Sequence, residues 1–113
     1  MPVTVASFRR IALALPDTVE GAHHGNADFR HAGLIFASLH EDRGTGMVKV
    51  PPARQRELIG AHGDAFAPAN GAWGRAGCTI VQLGAVPADV LRDALGEAWQ
   101  FAGVAAATRR GKK

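Results

Sequence analysis

The apolar residues near both ends of the chain recur at the spacing of an amphipathic helix. In residues 5–15 they lie three or four positions apart, at Val5, Phe8, Ile11 or Ala12, and Leu15. This spacing predicts a helix that Pro16 ends, because proline lacks a backbone donor. The segment VPADVLRDALGEAWQFAG carries the clearest apolar stripe and predicts a helix with Pro87 in its first turn. A third helix is predicted over PARQRELIGAHG, which starts at Pro52.

The middle of the chain predicts short strands separated by turns. GLIFASLH, residues 33–40, predicts a central strand because both of its alternating faces are largely apolar. GMVKV, residues 46–50, predicts an antiparallel partner across the polar loop HEDRGTG. Further strands are expected before residue 33 and in CTIVQLG, whereas residues 64–77 lack periodicity and predict an ordered loop. The pattern predicts an α+β fold with a mainly antiparallel sheet and about three helices.

The positive charge of the chain is concentrated at its C-terminal end. The 113 residues carry 13 Lys and Arg against 10 Asp and Glu, a formal net charge of +3. The C-terminal run TRRGKK holds four of these cations, so residues 1–108 have a formal charge of −1. One domain is predicted over residues 1–105, followed by a basic, disordered tail over residues 106–113. Any DNA binding is therefore expected to be weak and steeply salt-dependent.

The composition and the cysteine content favour a cytoplasmic protein. The apolar share of 47% and the charged share of 20% are ordinary for a globular chain. No segment approaches the roughly 18 consecutive apolar residues of a membrane span, and Arg9 and Arg10 interrupt the N-terminal apolar stretch. The single cysteine, Cys78, agrees with a reducing compartment. We therefore expect a cytoplasmic protein with no membrane partner.

Four of the five histidines lie between residues 23 and 40, which raises the question of a metal or catalytic site. A zinc site needs about four converging ligands, and close pairs such as HxxxH or CxxC are missing. Cys78 on an apolar strand is expected to be a small buried hydrophobe rather than a nucleophile. No GxxxxGK[ST] motif is present, and no GxGxxG follows a strand. The sequence predicts no metal, no cofactor and no catalytic residue.

Several motifs together resemble those of a known family from about Phe8 to Phe101. They are the run at His24, Gly25, Phe29 and Arg30, the IFA strand, Lys49, the Trp73-Gly74-Arg75 segment before a Thr-containing strand, and the closing proline-initiated helix. In this succession the chain resembles the MmcQ/YjbR family of small bacterial proteins. One departure is Cys78, where such sequences often have tryptophan or another large residue.

The resemblance implies a double-wing arrangement, an antiparallel sheet that carries helices and uses hairpins as wings. It also implies DNA binding, since family members are commonly described as DNA-binding or uncharacterised. The candidate residues for nucleic-acid or anion binding are His24, Arg30, Arg43, Lys49, Trp73 and Arg75. Their cations would contact phosphate, and the tryptophan would stack on or wedge beside a base.

An alternative function is a non-catalytic pocket or interaction module. Here the same candidates, without Arg43, would converge at one end of the sheet. Arginine would supply bidentate contacts and Trp73 a flat wall for a small anion or a protein partner. The structure decides which of these residues share a surface.

Overall fold

The computed structural model describes residues 3–111, with side chains through Arg109. This part of the chain forms four α-helices, six strands and a short 3₁₀ helix at Glu41–Arg43. The helices are α1 (Val5–Ala14), α2 (Pro52–Ala61), α3 (Gly71–Arg75) and α4 (Ala88–Gly111). The strands are β1 (Thr18–His23), β2 (Asn26–His31), β3 (Leu34–His40), β4 (Thr45–Lys49), β5 (Phe66–Pro68) and β6 (Cys78–Gln82).

The strands form a single sheet in the order β1-β2-β3-β4-β6-β5, and every neighbouring pair is antiparallel. This confirms the predicted α+β class and the antiparallel pairing of the two middle strands, in which Ser38 lies opposite Met47. The helices number four in the described residues rather than about three. The additional helix, α3, lies together with β5 in the segment that was predicted to be a loop.

The C-terminal helix extends further than the sequence analysis predicts. Helix α4 continues to Gly111, although residues 106–113 were expected to form a disordered tail. Alanines 105–107 favour the helix because alanine has the highest helix propensity, and Thr108 Oγ1 donates a hydrogen bond to the carbonyl of Val104. The expectation for residues 112 and 113 lies outside the described residues.

One face of the sheet, here called the closed face, is covered by α1 and α4 and contains the core. Phe8 of α1 lies over Gly46, where an added Cβ would be 2.7 Å from the phenyl ring. Helix α4 packs across β2, β3 and β4, and its Trp99 stacks on His31 with ring centroids 4.2 Å apart. Helix α2 is joined to α4 by the ion pair of Arg54 with Glu97 at 2.9 Å. Within residues 3–111, no helix combines the length and apolar character needed to cross a membrane.

The pairing of β2 with β3 contains a bulge that decides which side chains reach the core. Phe29 pairs with Ala37 but Arg30 pairs with Ile35, so Phe36 has no partner in β2. Strict alternation would place Phe36 and Ala37 on opposite faces, yet both are fully buried in the same core. The bulge therefore directs Phe36 into the core and keeps Arg30 on the other face, next to Asp28.

Two-residue turns connect β1 to β2 and β2 to β3. His24 and Gly25 have φ angles of 51° and 80°, and Ala32 and Gly33 have φ angles of 55° and 83°. Positive φ at both central residues is typical of the type I′ turn, whose twist matches that of the flanking strands. Histidine is enriched at positive φ relative to most residues, so the turn by itself accounts for His24.

Replacing the strained alanine of the second turn is expected to stabilise the protein. Glycine at position 32 removes the steric cost that alanine bears at a φ of 55°, and Ala32→Gly should raise the free energy of unfolding by about 1 kcal/mol. Urea unfolding measures the effect. The control Ala53→Gly, in the exposed first turn of α2, should lower stability by up to about 1 kcal/mol. A less stable Ala32→Gly protein would contradict the argument.

Candidate functional site

The face of the sheet opposite α1 and α4 is accessible and is called the open face here. The strand register places on it Val19, Gly21 and His23 of β1, Asn26, Asp28 and Arg30 of β2, Ser38 and His40 of β3, Met47 and Lys49 of β4, and Ile80 of β6. Val19 is 64% exposed, which shows how little covers the edge strand. Asp28 is the one carboxylate that the described strands place on this face.

Asp28 lies at the centre of a hydrogen-bonded cluster on the open face. Its side chain is fully buried. Arg30 donates from Nε to Oδ1 at 2.8 Å and from Nη2 to Oδ2 at 3.2 Å. His23 Nδ1 lies 2.8 Å from Oδ2 and donates to it, because a carboxylate only accepts. His23, Asp28 and Arg30 are called the Asp28 cluster below.

The Asp28 cluster fixes the charge state of its carboxyl group. The hydrogen bonds from Arg30 hold the pKa of Asp28 below its usual value of 3.8, although burial acts in the opposite direction. The same contact raises the pKa of Arg30. Asp28 is therefore a carboxylate at neutral pH, and its negative charge is matched by the guanidinium beside it.

Asp28→Asn is expected to remove an acid-sensitive part of the stability. Because the pKa of Asp28 is lower in the folded chain than in the unfolded chain, its ionised form stabilises the fold above about pH 4. This contribution is lost as the pH falls through the folded pKa, so the stability difference between wild type and variant should shrink in acid. Urea unfolding at a series of pH values measures it. The control Asp64→Asn, at an exposed carboxylate outside the sheet, should show no such convergence, and a pH-independent difference for Asp28→Asn would contradict the assignment.

At one end of the sheet, His24 and Arg43 line a cleft of about 540 Å³. This end is called the loop end because it contains the β1–β2 turn and the 3₁₀ helix. His40 also lines the cleft, and burial lowers its pKa, with a further contribution from the charge of Arg43. Glu41 and Asp42 line the same cleft. The two carboxylates offset the cation, which makes the cleft a poor match for an anion.

At the opposite end of the sheet, Arg56 and Arg75 line a depression of about 440 Å³ between α2 and α3. This end is called the helix end. No carboxylate lines the depression; its other walls are Pro52, Gln55, Pro68, Ala69, Gly71 and Gly74. Lys49, the last residue of β4, lies three positions before Pro52. Among the described residues, Lys49, Arg56 and Arg75 take part in no ion pair.

Helix α3, which carries Trp73 and Arg75, is held firmly against its surroundings. The buried side chain of Gln55 donates from Nε2 to the carbonyls of Gly74 at 3.0 Å and Cys78 at 3.1 Å. Trp73 is 72% exposed and does not line the depression, so it projects from another side of this short helix than Arg75 does. Cys78 is 5% exposed and burial raises the pKa of its thiol, which keeps it protonated.

The structure divides the sequence-based candidates between three places. His24 and Arg43 lie at the loop end, beside two carboxylates. Lys49, Trp73 and Arg75 lie at the helix end. Arg30 lies on the open face, held by Asp28. The five residues that were expected to converge at one end therefore do not all meet: Lys49, Trp73 and Arg75 lie at the helix end, whereas His24 and Arg30 do not.

Sequence reasoning missed His23 and Asp28 as partners of Arg30. The signal available was the Asp-x-Arg spacing at residues 28–30, since positions two apart on a strand share a face. His23 could be placed beside them only with the register of β1 and β2. Across residues 3–111, no three histidine, cysteine, aspartate or glutamate side chains are grouped so that they could hold a metal ion.

An antiparallel sheet with helices packed on one face defines a small two-layer α+β protein. A family model described as YjbR matches residues 13–101. The chain belongs to the YjbR family, as its motifs indicate, and this is not a known enzyme family.

The fold is also similar to a solved structure. The crystal structure of protein DR2400 from Deinococcus radiodurans, described as a DUF419 domain, superposes with a TM-score of 0.77 at 24% identity. The match covers 88% of this chain and 78% of that chain, and at this identity it shows a shared fold. A comparison with curated proteins gave no match.

Proposed function

We propose that this protein binds DNA through the helix end and the adjoining open face of its sheet. The observation that carries the proposal is the grouping of Arg56 and Arg75 around a depression that no carboxylate lines. Lys49 extends this cationic surface onto the open face. Arginine and lysine side chains of this kind contact backbone phosphates, which supply most of the affinity of sequence-independent binding.

The distribution of charge supports this surface better than the net charge does. Residues 1–108 carry a formal charge of −1, so the body of the protein as a whole does not attract DNA. The acidic residues of the hairpin between β3 and β4, Glu41 and Asp42, lie at the loop end. The helix end therefore carries a locally positive potential on a nearly neutral protein, which orients a polyanion toward it.

The same distribution argues against the hairpin between β3 and β4 as a DNA-binding wing. Arg43 follows directly after Glu41 and Asp42 in the 3₁₀ helix, and both carboxylates line its cleft. A phosphate placed there would meet the carboxylate of Asp42 beside the guanidinium of Arg43, and also Glu41, whose charge is partly balanced by Arg9 at 3.4 Å. The proposal accordingly assigns no phosphate contact to Arg43.

Trp73 provides a flat apolar surface at the helix end. It is the most exposed of the large apolar side chains in the described part of the chain. Because it projects from another side of α3 than Arg75, we assign it to a base or sugar next to the contacted phosphates. When tryptophan fluorescence is used to follow Trp73, Trp99 serves as an internal reference. Its Nε1 donates a hydrogen bond to the carbonyl of Pro16, and its ring stacks on His31.

The proposal is tested by an anisotropy titration of labelled duplex DNA at two salt concentrations. Binding that weakens with salt by a logarithmic slope of about 0.9 for each phosphate contact is expected, with a Kd tighter than about 0.1 mM. Absence of binding at low salt would refute DNA as the ligand. The same surface would then serve the alternative function, capture of a small anion or an acidic protein partner.

A further inference from the structure

The Asp28 cluster holds two hydrogen-bond donors, the imidazole of His23 and the guanidinium of Arg30, against one buried carboxylate. Oδ2 of Asp28 accepts from both His23 Nδ1 and Arg30 Nη2, and Oδ1 accepts from Arg30 Nε. The two donors are 40% and 41% exposed, whereas the Asp28 side chain is 0% exposed. The carboxylate thus lies beneath its partners, and each partner keeps a nitrogen directed away from it: Nε2 of His23 and Nη1 of Arg30.

The backbone of β1 is adapted to this cluster. Gly21 lies directly opposite Asp28, and an added Cβ would be 3.0 Å from Asp28 Oδ1 and 3.3 Å from Arg30 Nε and Cζ. A side chain at this position would displace the ion pair. Because Gly21 has no side chain, the guanidinium of Arg30 can lie across β1. Gly21 on one side and the Asp28 carboxylate on the other then fix its orientation.

We propose that His23 and Arg30, oriented by Asp28, bind one phosphate group on the open face. This inference rests on the proposed function and adds a residue, His23, that neither the family motifs nor the cationic depression include. Arginine offers planar donors to phosphate oxygens, and its pre-orientation by Asp28 lowers the entropy lost on binding. The chemistry is that of a tetrahedral oxyanion, either a backbone phosphate of DNA or a free phosphate.

Phosphate binding at this position requires a proton on His23. The Nδ1–H of His23 donates to Asp28, so the neutral ring presents Nε2 as an acceptor, and only the imidazolium donates from Nε2. The groups that face His23 are the Asp28 carboxylate and the Arg30 guanidinium of β2, the His40 ring of β3 and the neighbouring His24 ring. With protonated His23 the cluster changes from a formal charge of zero to +1, and binding is therefore linked to proton uptake.

The test compares DNA binding of His23→Gln, Arg30→Ala and the control His24→Asn at about pH 6 and about pH 8. Wild type and His24→Asn are expected to bind more tightly at the lower pH. His23→Gln should lose most of this difference, with affinity lower by up to about fivefold at about pH 6. Arg30→Ala should reduce the salt slope by about 0.9. Asparagine is used at position 24 because it tolerates positive φ.

Two results would overturn the phosphate site and leave the proposed function, DNA binding through the helix end, intact. One is DNA binding by His23→Gln and Arg30→Ala that equals wild type at both pH values. The other is an equal loss of pH dependence in His24→Asn and His23→Gln. That result would show that the proton taken up on binding is not specific to His23 and belongs to the β1–β2 turn. If wild type binds no DNA, the proposed function fails and a titration with inorganic phosphate decides the site. Saturable shifts of the His23 ring and Arg30 Nε–H resonances would then support it, and unchanged resonances would overturn it.

Discussion

The combined variant Lys49→Ala, Arg56→Ala and Arg75→Ala is expected to bind duplex DNA on the order of 100-fold more weakly than wild type at about 0.1 M salt. The three side chains are the cations of the helix end that lack an ion-pair partner among the described residues. Each lost phosphate contact should also lower the logarithmic salt slope by about 0.9. An anisotropy titration over a range of salt concentrations measures both quantities.

A second triple variant with the same change in charge provides the matched control. Arg10, Arg43 and Arg92 are exposed, do not line the depression at the helix end and take part in no ion pair within the described chain. Their replacement by alanine should weaken binding only slightly, through the change in net charge. Equal losses in the two triple variants would contradict a localised binding surface and indicate a diffuse electrostatic attraction.

Gly74→Ala is expected to destabilise the protein strongly at the helix end. A Cβ at this position would lie 1.9 Å from the carbonyl oxygen of Ala69 and 2.9 Å from its carbonyl carbon. Both neighbours are backbone atoms, so α3 has to move as a whole and break the bond from Gln55 Nε2 to the Gly74 carbonyl. We expect a loss of about 3 kcal/mol in the free energy of unfolding, at the upper end for overpacked sites.

Urea unfolding of Gly74→Ala and Gly60→Ala separates this contact from the general effect of replacing glycine in a helix. Gly60 lies in α2 with nothing within 4 Å of an added Cβ. Its replacement should therefore stabilise the protein by up to about 1 kcal/mol. Similar effects of the two substitutions would show that the close approach of α3 to Ala69 is unimportant for stability.

The long helices and the middle strands were predictable because their apolar spacing has a clear period. Thr4 forms a capping box with Ser7 at the start of α1, and the apolar stripe of α4 is buried as its spacing indicates. The orientation of Phe36 was not predictable in this way. A strand with two apolar faces has no preferred register, and the bulge opposite Phe29 is decided by the pairing with β2.

The segment from residue 64 to residue 77 lacked a signal because its elements depend on contacts that are distant in sequence. Strand β5 has three residues and exists through its pairing with β6. Helix α3 has five residues and is held by Gln55 of α2 and by the close packing of Gly74 on Ala69. Elements this short leave no period to detect, and tertiary packing rather than local propensity stabilises them.

The candidate site was predictable as a set of residue types and not as an arrangement. The family motif includes Arg30, and the Asp-x-Arg spacing indicates the carboxylate that holds it, but the histidine that shares this carboxylate becomes visible only with the register of β1 and β2. The same motif drew attention to His24, whose place in the structure is explained by its left-handed turn. A motif shows which residues are close in sequence. The site depends on which side chains of neighbouring strands lie on the same face of the sheet.

The central claim is that the folded domain, rather than its basic C-terminus, contacts DNA. The most direct test is a duplex DNA titration of the full-length protein and of a chain ending at Thr108, which lacks the four cations of the C-terminal run. We expect the shortened protein to bind still. Its logarithmic salt slope should be smaller by at most about 0.9 for each phosphate contact that the tail makes. Complete loss of binding on removal of the tail would contradict the claim.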